Sequence, residues 1–319
     1  MPRPVAAGGL RWRVELTWLL SGLFILLLFL GGPTSDAPRS WHRAWDLGHL
    51  ACFCFWTALL LHRRPLATAT LGRQLLWVLL FSGGIGGLIE LAQSLTPRTP
   101  SLDDLIKDMN GGLLALAFFS TAGNRATRQL LKATVSLLTL IALFPFTTVL
   151  IDEQLAKIQF PVLSDFETPF EKERWHCDGA MRISTRQALS GDHALQIELS
   201  TAKYSGVHLK YFPENWQGFQ ALHLALFNPA AEPLPISCRI HDQQHAANPQ
   251  RKYADRYNRN FVLHSGWNEL EISLTEVATS PKGRKMDLAH VRGLGIFVSR
   301  LQQPRTIFLD NVRLTGKSE

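Results

Sequence analysis

The sequence predicts a multi-domain chain: an all-α membrane bundle of five transmembrane helices, followed by an extracytoplasmic all-β sandwich. Three observations predict it. In this 319-residue chain of 46% apolar composition, the long apolar runs nearly all fall before about residue 152. After about residue 163 the pattern changes to short alternating runs bounded by Gly, Pro, Asn and Asp. Lys and Arg are concentrated in alternate short loops of the first half. The expected domains are therefore 1–151, a linker at 152–162, and a sandwich at 163–316.

Residues 12–30, 45–61, 75–95, 102–121 and 131–151 are the expected spans, close to the 20 or so residues that cross a hydrocarbon core. No small-residue cleavage pattern follows the first, which reads as an uncleaved anchor rather than a removed signal. The second is short and carries Asp46 and His49 at its start, and Pro145 is placed to kink the fifth. Arg3, Arg11, Arg13, Arg63, Arg64, Arg73, Arg125, Arg128 and Lys132 fall in loops on one side of this arrangement. That distribution assigns a cytoplasmic N-terminus, a multi-pass position in the inner (cytoplasmic) membrane, and a periplasmic or extracellular C-terminal domain.

The stretch from Gly83 to Gly112 reads as a helix, a polar turn and a returning helix. Glu90 and Gln93 share one face of the first; Pro97 and Pro100 stop it; Ser101 and Asp104 have capping-box spacing for the second. Asp104 and Asp108 lie on one face that Gly111 and Ala115 continue as a small-residue stripe. Gly83 and Gly87 have the spacing of a helix-packing pair. Given the topology, Asp46, His49, Glu90, Gln93, Arg98, Ser101, Asp104 and Asp108 all reach the external rim, where acidic groups must face a bundle interior, a cavity or headgroup water. Each also has a structural reading: Ser101 and Asp104 as helix caps, His49 paired with Asp46, Arg98 on lipid phosphate. Glu90, a carboxylate in an otherwise apolar helix, is the hardest to assign to structure alone.

Asp46-x-x-His49-x-x-x-Phe53, Glu90-x-x-Gln93, and Arg98-x-x-Ser101-x-x-Asp104 with Gly111 resemble the VanZ-like family of small bacterial membrane proteins over about residues 12–122. Some members are associated with resistance to glycopeptide antibiotics such as teicoplanin, so the resemblance implies a cell-envelope role and a rim site. Where the family commonly has Asn four residues after the acidic residue of the last motif, this chain has Asp108, with Asn110 two positions later.

In the second half, strands are expected at 195–199, 206–212, 219–227, 235–241, 268–274, 293–299 and 306–314. Seven or eight short strands over some 150 residues make an antiparallel sandwich. The opening Asp165-Phe166-Glu167, the region from Asp242 to Phe261, Gly266-Trp267-Asn268 and Leu309-Asp310-Asn311-Val312 resemble galactose-binding-like, jelly-roll carbohydrate-binding modules. That resemblance implies a structural Ca2+ near the termini, with Glu167 and Asp310 as its side-chain candidates. No other cofactor is expected.

Flat aromatic surface beside planar polar groups is the chemistry of sugar binding. Tyr253, Arg256, Tyr257 and Asn258 supply it, with Trp216, His241, Asp242 and His245 as possible neighbours. Trp216 and Trp267 are equally suited to a sandwich core. The basic tract Arg251, Lys252, Arg256 and Arg259 suits an anionic glycan or a solvated surface. Cys177 and Cys238 lie where a disulfide is chemically permitted; Cys52 and Cys54 are packing residues. Nucleic acid is not an expected partner despite the net charge of +7, because so many basic residues are used in membrane topology.

Two function classes follow, with oligomeric state left open. In the first, a non-enzymatic envelope factor binds cell-wall or surface glycan through its sandwich, and membrane lipid or a lipid-linked saccharide at its rim. In the second, the rim is an active site on a lipid-linked precursor, with Glu90 or Asp46 as base and His49 or Arg98 supporting a leaving group or phosphate. The chain lacks a strong nucleophile motif, metal-ligand spacing and a nucleotide loop, which favours the first.

Overall fold

The computed structural model of the chain describes residues 8–29, 32–34, 37–95 and 101–316. The chain divides into two compact units, Met1–Leu150 and Ile151–Glu319.

The first unit is helical. It contains α1 (Gly8–Phe29), α2 (Arg39–Asp46), α3 (Gly48–Leu61), α4 (Leu71–Gln93), α5 (Leu102–Phe119), most of α6 (Arg125–Gln159) and a short 3-10 helix at Leu66–Thr68. Six α-helices and the 3-10 turn make seven helical segments where five were expected. The additions are the polar RSWHRAWD stretch, which forms its own helix and meets apolar α3 at Leu47, and the short turn Leu66–Thr68, which follows the basic loop after α3. Among the described residues, three helical stretches are long and apolar enough to cross a membrane: Arg39–Leu61, which joins α2 and α3 through Leu47, Leu71–Gln93 and Arg125–Gln159. The apolar stretch Glu15–Phe29 of α1 is shorter. Helix α5 carries Asp103, Asp104, Lys107 and Asp108 in its first two turns. Pro145 lies inside α6, which runs on through much of the stretch expected to be a linker.

Small residues let α5 approach its neighbours. A Cβ on Gly111 would fall on the Leu50 carbonyl of α3, and one on Gly112 would fall on Ser82 Oγ of α4. Gly86 on α4 leaves room for the Asp108 carboxylate, to which an added Cβ would approach within 2.5 Å. Gly83 and Gly87, the expected packing pair, have open space beside them. The close contact on α4 is thus made by a glycine outside the GxxxG spacing.

The second unit is a sandwich of antiparallel sheets. The six-stranded sheet has the order β3 (Ala180–Ser184), β4 (Ala194–Leu199), β11 (Arg305–Thr315), β6 (Ala221–Asn228), β9 (Gly266–Ser273), with β1 (Val162–Ser164) also on β11. The five-stranded sheet has the order β2 (Trp175–Cys177), β5 (Ser205–Leu209), β10 (Val291–Val298), β7 (Leu234–Asp242), β8 (Tyr257–Leu263). All seven expected strands are present. The four that periodicity did not reveal, β1, β2, β3 and β8, are very short or end their sheets, where solvent on several sides blurs the alternation. Alternate residues such as Leu195, Ile197, Leu222, Leu224, Ile236, Ile240, Leu294 and Ile296 form the core between the sheets. All four cysteines are free thiols.

The last turns of α6 belong to this second unit and are tied to it by charge. Arg174 is 1% exposed; its Nε donates to Asp152 Oδ1 at 2.8 Å, Nη1 to the Leu163 carbonyl at 3.0 Å, and Nη2 to Gln159 Oε1 at 3.1 Å. Removing one partner of a buried pair leaves the other charge unanswered, at a cost of about 3 to 5 kcal/mol. A fragment starting at Ile151 should therefore melt cooperatively and well above one starting at Leu163, and Asp152→Ala in the longer fragment should remove most of that difference. Equal denaturation midpoints for the two fragments would contradict this account of the boundary.

Candidate functional site

The helical unit gathers polar side chains from three helices. His49, in the first turn of α3 and 5% exposed, shares its Nδ1 proton with Asp108 Oδ1 of α5 at 2.9 Å. Its Nε2 faces Asp104 Oδ2 at 4.0 Å. Glu90, near the end of α4, accepts the Ser101 backbone N–H on Oε2 at 2.7 Å, which ties the end of one helix to the start of the next. Ser101 caps α5, its Oγ accepting the Asp104 N–H at 3.4 Å, as its spacing predicts. Lys107 answers Asp103 at 2.6 Å and Asp104 at 3.1 Å.

The other rim residues are deployed differently. Asp46 does not pair with His49; it is half exposed, 3.9 Å from Arg43, because the break at Leu47 puts it on a separate helix. Gln93 donates to the Leu28 carbonyl of α1 at 2.8 Å and is a packing residue. Asn110 Oδ1 accepts from Thr139 of α6 at 3.4 Å. Arg98 lies outside the described residues. Beside this cluster, a cavity of about 450 Å³ has Arg43, Asp46, Asp103 and Lys107 among its polar lining, with apolar walls that include Leu113 and Phe146.

In the sandwich, the outward face of the five-stranded sheet is the more reactive surface. Strand register places His208, Gly295, Arg239 and Asn258 in one row across it, with Phe297 and Ser237 in the next and Gly293 beside His241. The glycines let side chains lie flat: a Cβ on Gly295 would reach the His208 ring within 2.6 Å, and one on Gly293 would meet the His241 ring. Arg239 Nη2 donates to His208 Nδ1 at 3.2 Å and stacks over the Phe297 ring at 6.0 Å. Exposed Tyr204 packs edge-on against Phe297, and Arg256 stacks on exposed Tyr253. Arg239 Nε, Arg256 Nε, His241 Nδ1 and Asn258 Oδ1 are buried without a hydrogen-bond partner among the described residues. Burial, then the nearby Arg256 and Arg251, lowers the pKa of Arg239.

Several residues proposed from the sequence serve the fold instead. Trp216 is fully buried and Tyr257 is 1% exposed, both on the core side. Asp242 is buried; Arg284 holds it through two nitrogens at 2.5 and 2.9 Å and also grips Asp255, and Asp242 accepts the His245 and Asp287 N–H groups. Burial opposes ionisation of Asp242, but Arg284 outweighs it and holds the pKa low. His245 is buried, its Nδ1 3.3 Å from Asp255. Arg259 pairs with Glu276 at 2.9 Å. Tyr253, Arg256, Asn258 and His241 remain on or beside the open face. Sequence reading missed Arg239, His208, Phe297 and Tyr204, although the outward positions of the expected strands contain the first three.

Glu167 and Asp310 do not fit a Ca2+ site. Asp310 Oδ2 accepts the Leu189 and Ser190 N–H groups, and Oδ1 accepts that of Asn311. Glu167 Oε1 accepts the Asp192 and His193 N–H groups, and Oε2 faces the His193 ring at 3.0 Å. All four oxygens are engaged by N–H donors or a histidine, the geometry of carboxylates that fasten a loop.

The outward face of the six-stranded sheet offers a rival surface, an aromatic row of Phe308, Phe227 and Trp267. Its polar members answer one another: Gln196 bonds Glu198 and Arg182, and Thr306 bonds Glu198.

No family model matches the chain, and no curated protein does. Among solved structures, half of the chain is similar to a family 11 carbohydrate-binding module from Clostridium thermocellum, determined with a β-1,3-1,4-mixed-linked tetrasaccharide. The identity is 15%, 96% of the module is covered, and the TM-score is 0.37. An exo-β-agarase is matched over 50% of this chain at 14% identity and TM-score 0.40, and the chain spans only 25% of that enzyme. The sandwich itself is defined by its own strand pairing.

The histidines of the open face make it acid-sensitive. Burial first, and Arg239 second, push the His208 pKa down to about 4 and that of His241 to about 3, against 6.5 unperturbed. Between about pH 6.5 and 4 the unfolded chain binds more protons than the folded one, so stability falls as pH is lowered through that window. By pH 5.5 each histidine should cost about 1 kcal/mol. Denaturant midpoints at pH 7 and 5.5 should show the loss, and His208→Gln should reduce it. A pH-independent midpoint over this range would contradict the assignment.

Proposed function

We propose that this chain is a membrane-anchored, non-enzymatic envelope protein whose external sandwich binds an acidic glycan on the outward face of its five-stranded sheet. The observation that carries the reading is the set of polar groups on that face with no answer inside the protein. Arg239 and Arg256 have no carboxylate within ion-pair distance among the described residues, while His241 Nδ1 and Asn258 Oδ1 lack partners. Exposed Tyr204 and Tyr253 flank them with the flat apolar surface that a pyranose ring stacks on. Uronate, phosphate or sulfate on a sugar would answer both arginines; a neutral sugar would leave them repelling each other. The three long apolar helices and the loop charges support the membrane anchor and an external sandwich. The cavity of about 450 Å³, polar at Arg43 and Lys107 and apolar along Leu113 and Phe146, suits the chain and headgroup of a lipid or lipid-linked saccharide.

A panel of neutral and uronate-bearing oligosaccharides of matched length, titrated calorimetrically into the fragment from Ile151, tests the reading. Acidic members should bind more tightly, with affinity falling as salt rises. Arg239→Ala should weaken them by about tenfold or more, equivalent to about 1.4 kcal/mol. Equal binding of neutral and acidic sugars would remove the acidic assignment, and no binding by either class would remove the glycan reading.

A further inference from the structure

A second constellation, independent of the saccharide face, lies in the helical unit. His49, Glu90 and Asp104 come from α3, α4 and α5, and one ligand atom from each lies within 4.8 Å of the others. No other group of three or more His, Cys, Asp or Glu side chains meets this condition among the described residues.

What converges there is acceptors without a donor. An ionised Asp108 can only accept, so it takes the Nδ1 proton of His49 at 2.9 Å. Nε2 then presents its lone pair, and it faces Asp104 Oδ2 at 4.0 Å, too far for a hydrogen bond. Glu90 is 7% exposed; Oε2 is engaged by the Ser101 N–H at 2.7 Å, and Oε1 has no hydrogen-bond partner among the described residues. Lys107 Nζ holds Asp104 Oδ1 at 3.1 Å, which leaves Oδ2 turned toward the imidazole. A lone pair and two carboxylate oxygens in a buried site repel one another unless a cation sits among them.

We propose that His49 Nε2, Glu90 and Asp104 bind a first-row divalent transition-metal ion, with Asp108 orienting the imidazole. One imidazole nitrogen and two carboxylate oxygens suit zinc, and less tightly manganese or ferrous iron. Ligands about 2.1 Å from a tetrahedral zinc lie about 3.4 Å apart, so three groups within 4.8 Å of one another need close by at most about 1.4 Å. Asp108 on Nδ1 is the outer carboxylate that histidine ligands of zinc ordinarily carry, and the Ser101 N–H on Glu90 Oε2 fixes the second ligand in the same way. Three protein ligands leave a fourth position for water or an oxygen of a bound molecule. His49 also lines an apolar cavity of about 200 Å³ with Phe24, Leu28 and Trp45.

The test uses the full-length protein in detergent, free of any histidine tag, stripped with chelator and dialysed against zinc sulfate. Metal content is read by plasma mass spectrometry and the melting temperature is taken with and without zinc. The proposal expects one zinc per chain and a higher melting temperature. Glu90→Gln and Asp104→Asn should lose the ion, Asp108→Asn should bind it about 10- to 100-fold more weakly, and Asp103→Asn should keep it. No zinc uptake by the stripped wild type would overturn the proposal, as would equal retention by Glu90→Gln and Asp104→Asn. If Glu90→Gln fails to fold, Asp104→Asn decides, since that side chain is already 26% exposed and its loss opens no cavity.

Discussion

A charge taken out of water must be answered within a few ångströms, and that constraint organises both units. In the sandwich, Arg174 is answered by Asp152, Gln159 and the Leu163 carbonyl, which makes the end of α6 part of the second unit. Asp242 is answered by Arg284 and two backbone N–H groups, which closes the end of β7 onto the loop after the short helix Leu274–Thr279. Glu171, fully buried, collects the Asp165, Phe166 and Thr168 N–H groups and so shapes the entry to the fold. In the helical unit the same rule binds His49 to Asp108 and Glu90 to Ser101.

Where the rule is met, the residue is structural; where several unmet groups of one sign cluster, we take the cluster as a candidate ligand site. Glu90 Oε1 and Asp108 Oδ2 among the helices, and Arg239 Nε, Arg256 Nε and His241 Nδ1 on the sandwich, are buried polar atoms without a hydrogen-bond partner among the described residues. Unsatisfied groups of this kind cost about 1 to 3 kcal/mol each and are uncommon in folded proteins. Their grouping, anionic among the helices and cationic on the sheet face, is the observation on which the two proposals rest, a metal cation at one and an acidic saccharide at the other.

How much of this was legible in the sequence follows from range. Ser101 capping α5 is a three-residue relation, and the strands from β4 to β7 alternate strictly enough to read directly. The grouping of His49, Glu90, Asp104 and Asp108 was expected from topology, and the contacts of His49 with Asp108 and Asp104 cross between helices. Contacts made by tertiary packing were not legible. Asp46 appeared paired with His49 because four residues make one helical turn, yet the chain breaks at Leu47 and Asp108 takes that place instead. Asp242 and His245 read as sugar ligands because Arg284, forty residues on, could not be seen beneath them. Tyr257 looked like a surface aromatic because the polar YNRN tract hides an edge strand whose first side chain points inward. Arg239 and His208 were passed over for the converse reason: outward strand positions look like ordinary solvated surface until Gly295 lets the two lie flat beside each other.

The central claim, that unanswered groups on the five-stranded sheet mark the binding face, is tested most directly by amide and side-chain NMR shifts of the isotope-labelled fragment from Ile151 titrated with an acidic oligosaccharide. The account predicts saturable shifts at His208, Arg239, His241, Asn258, Gly295 and Phe297, with the indole of Trp267 unmoved. Shifts centred on Trp267, Phe227 and Phe308 of the six-stranded sheet, with the Arg239 row silent, would contradict it.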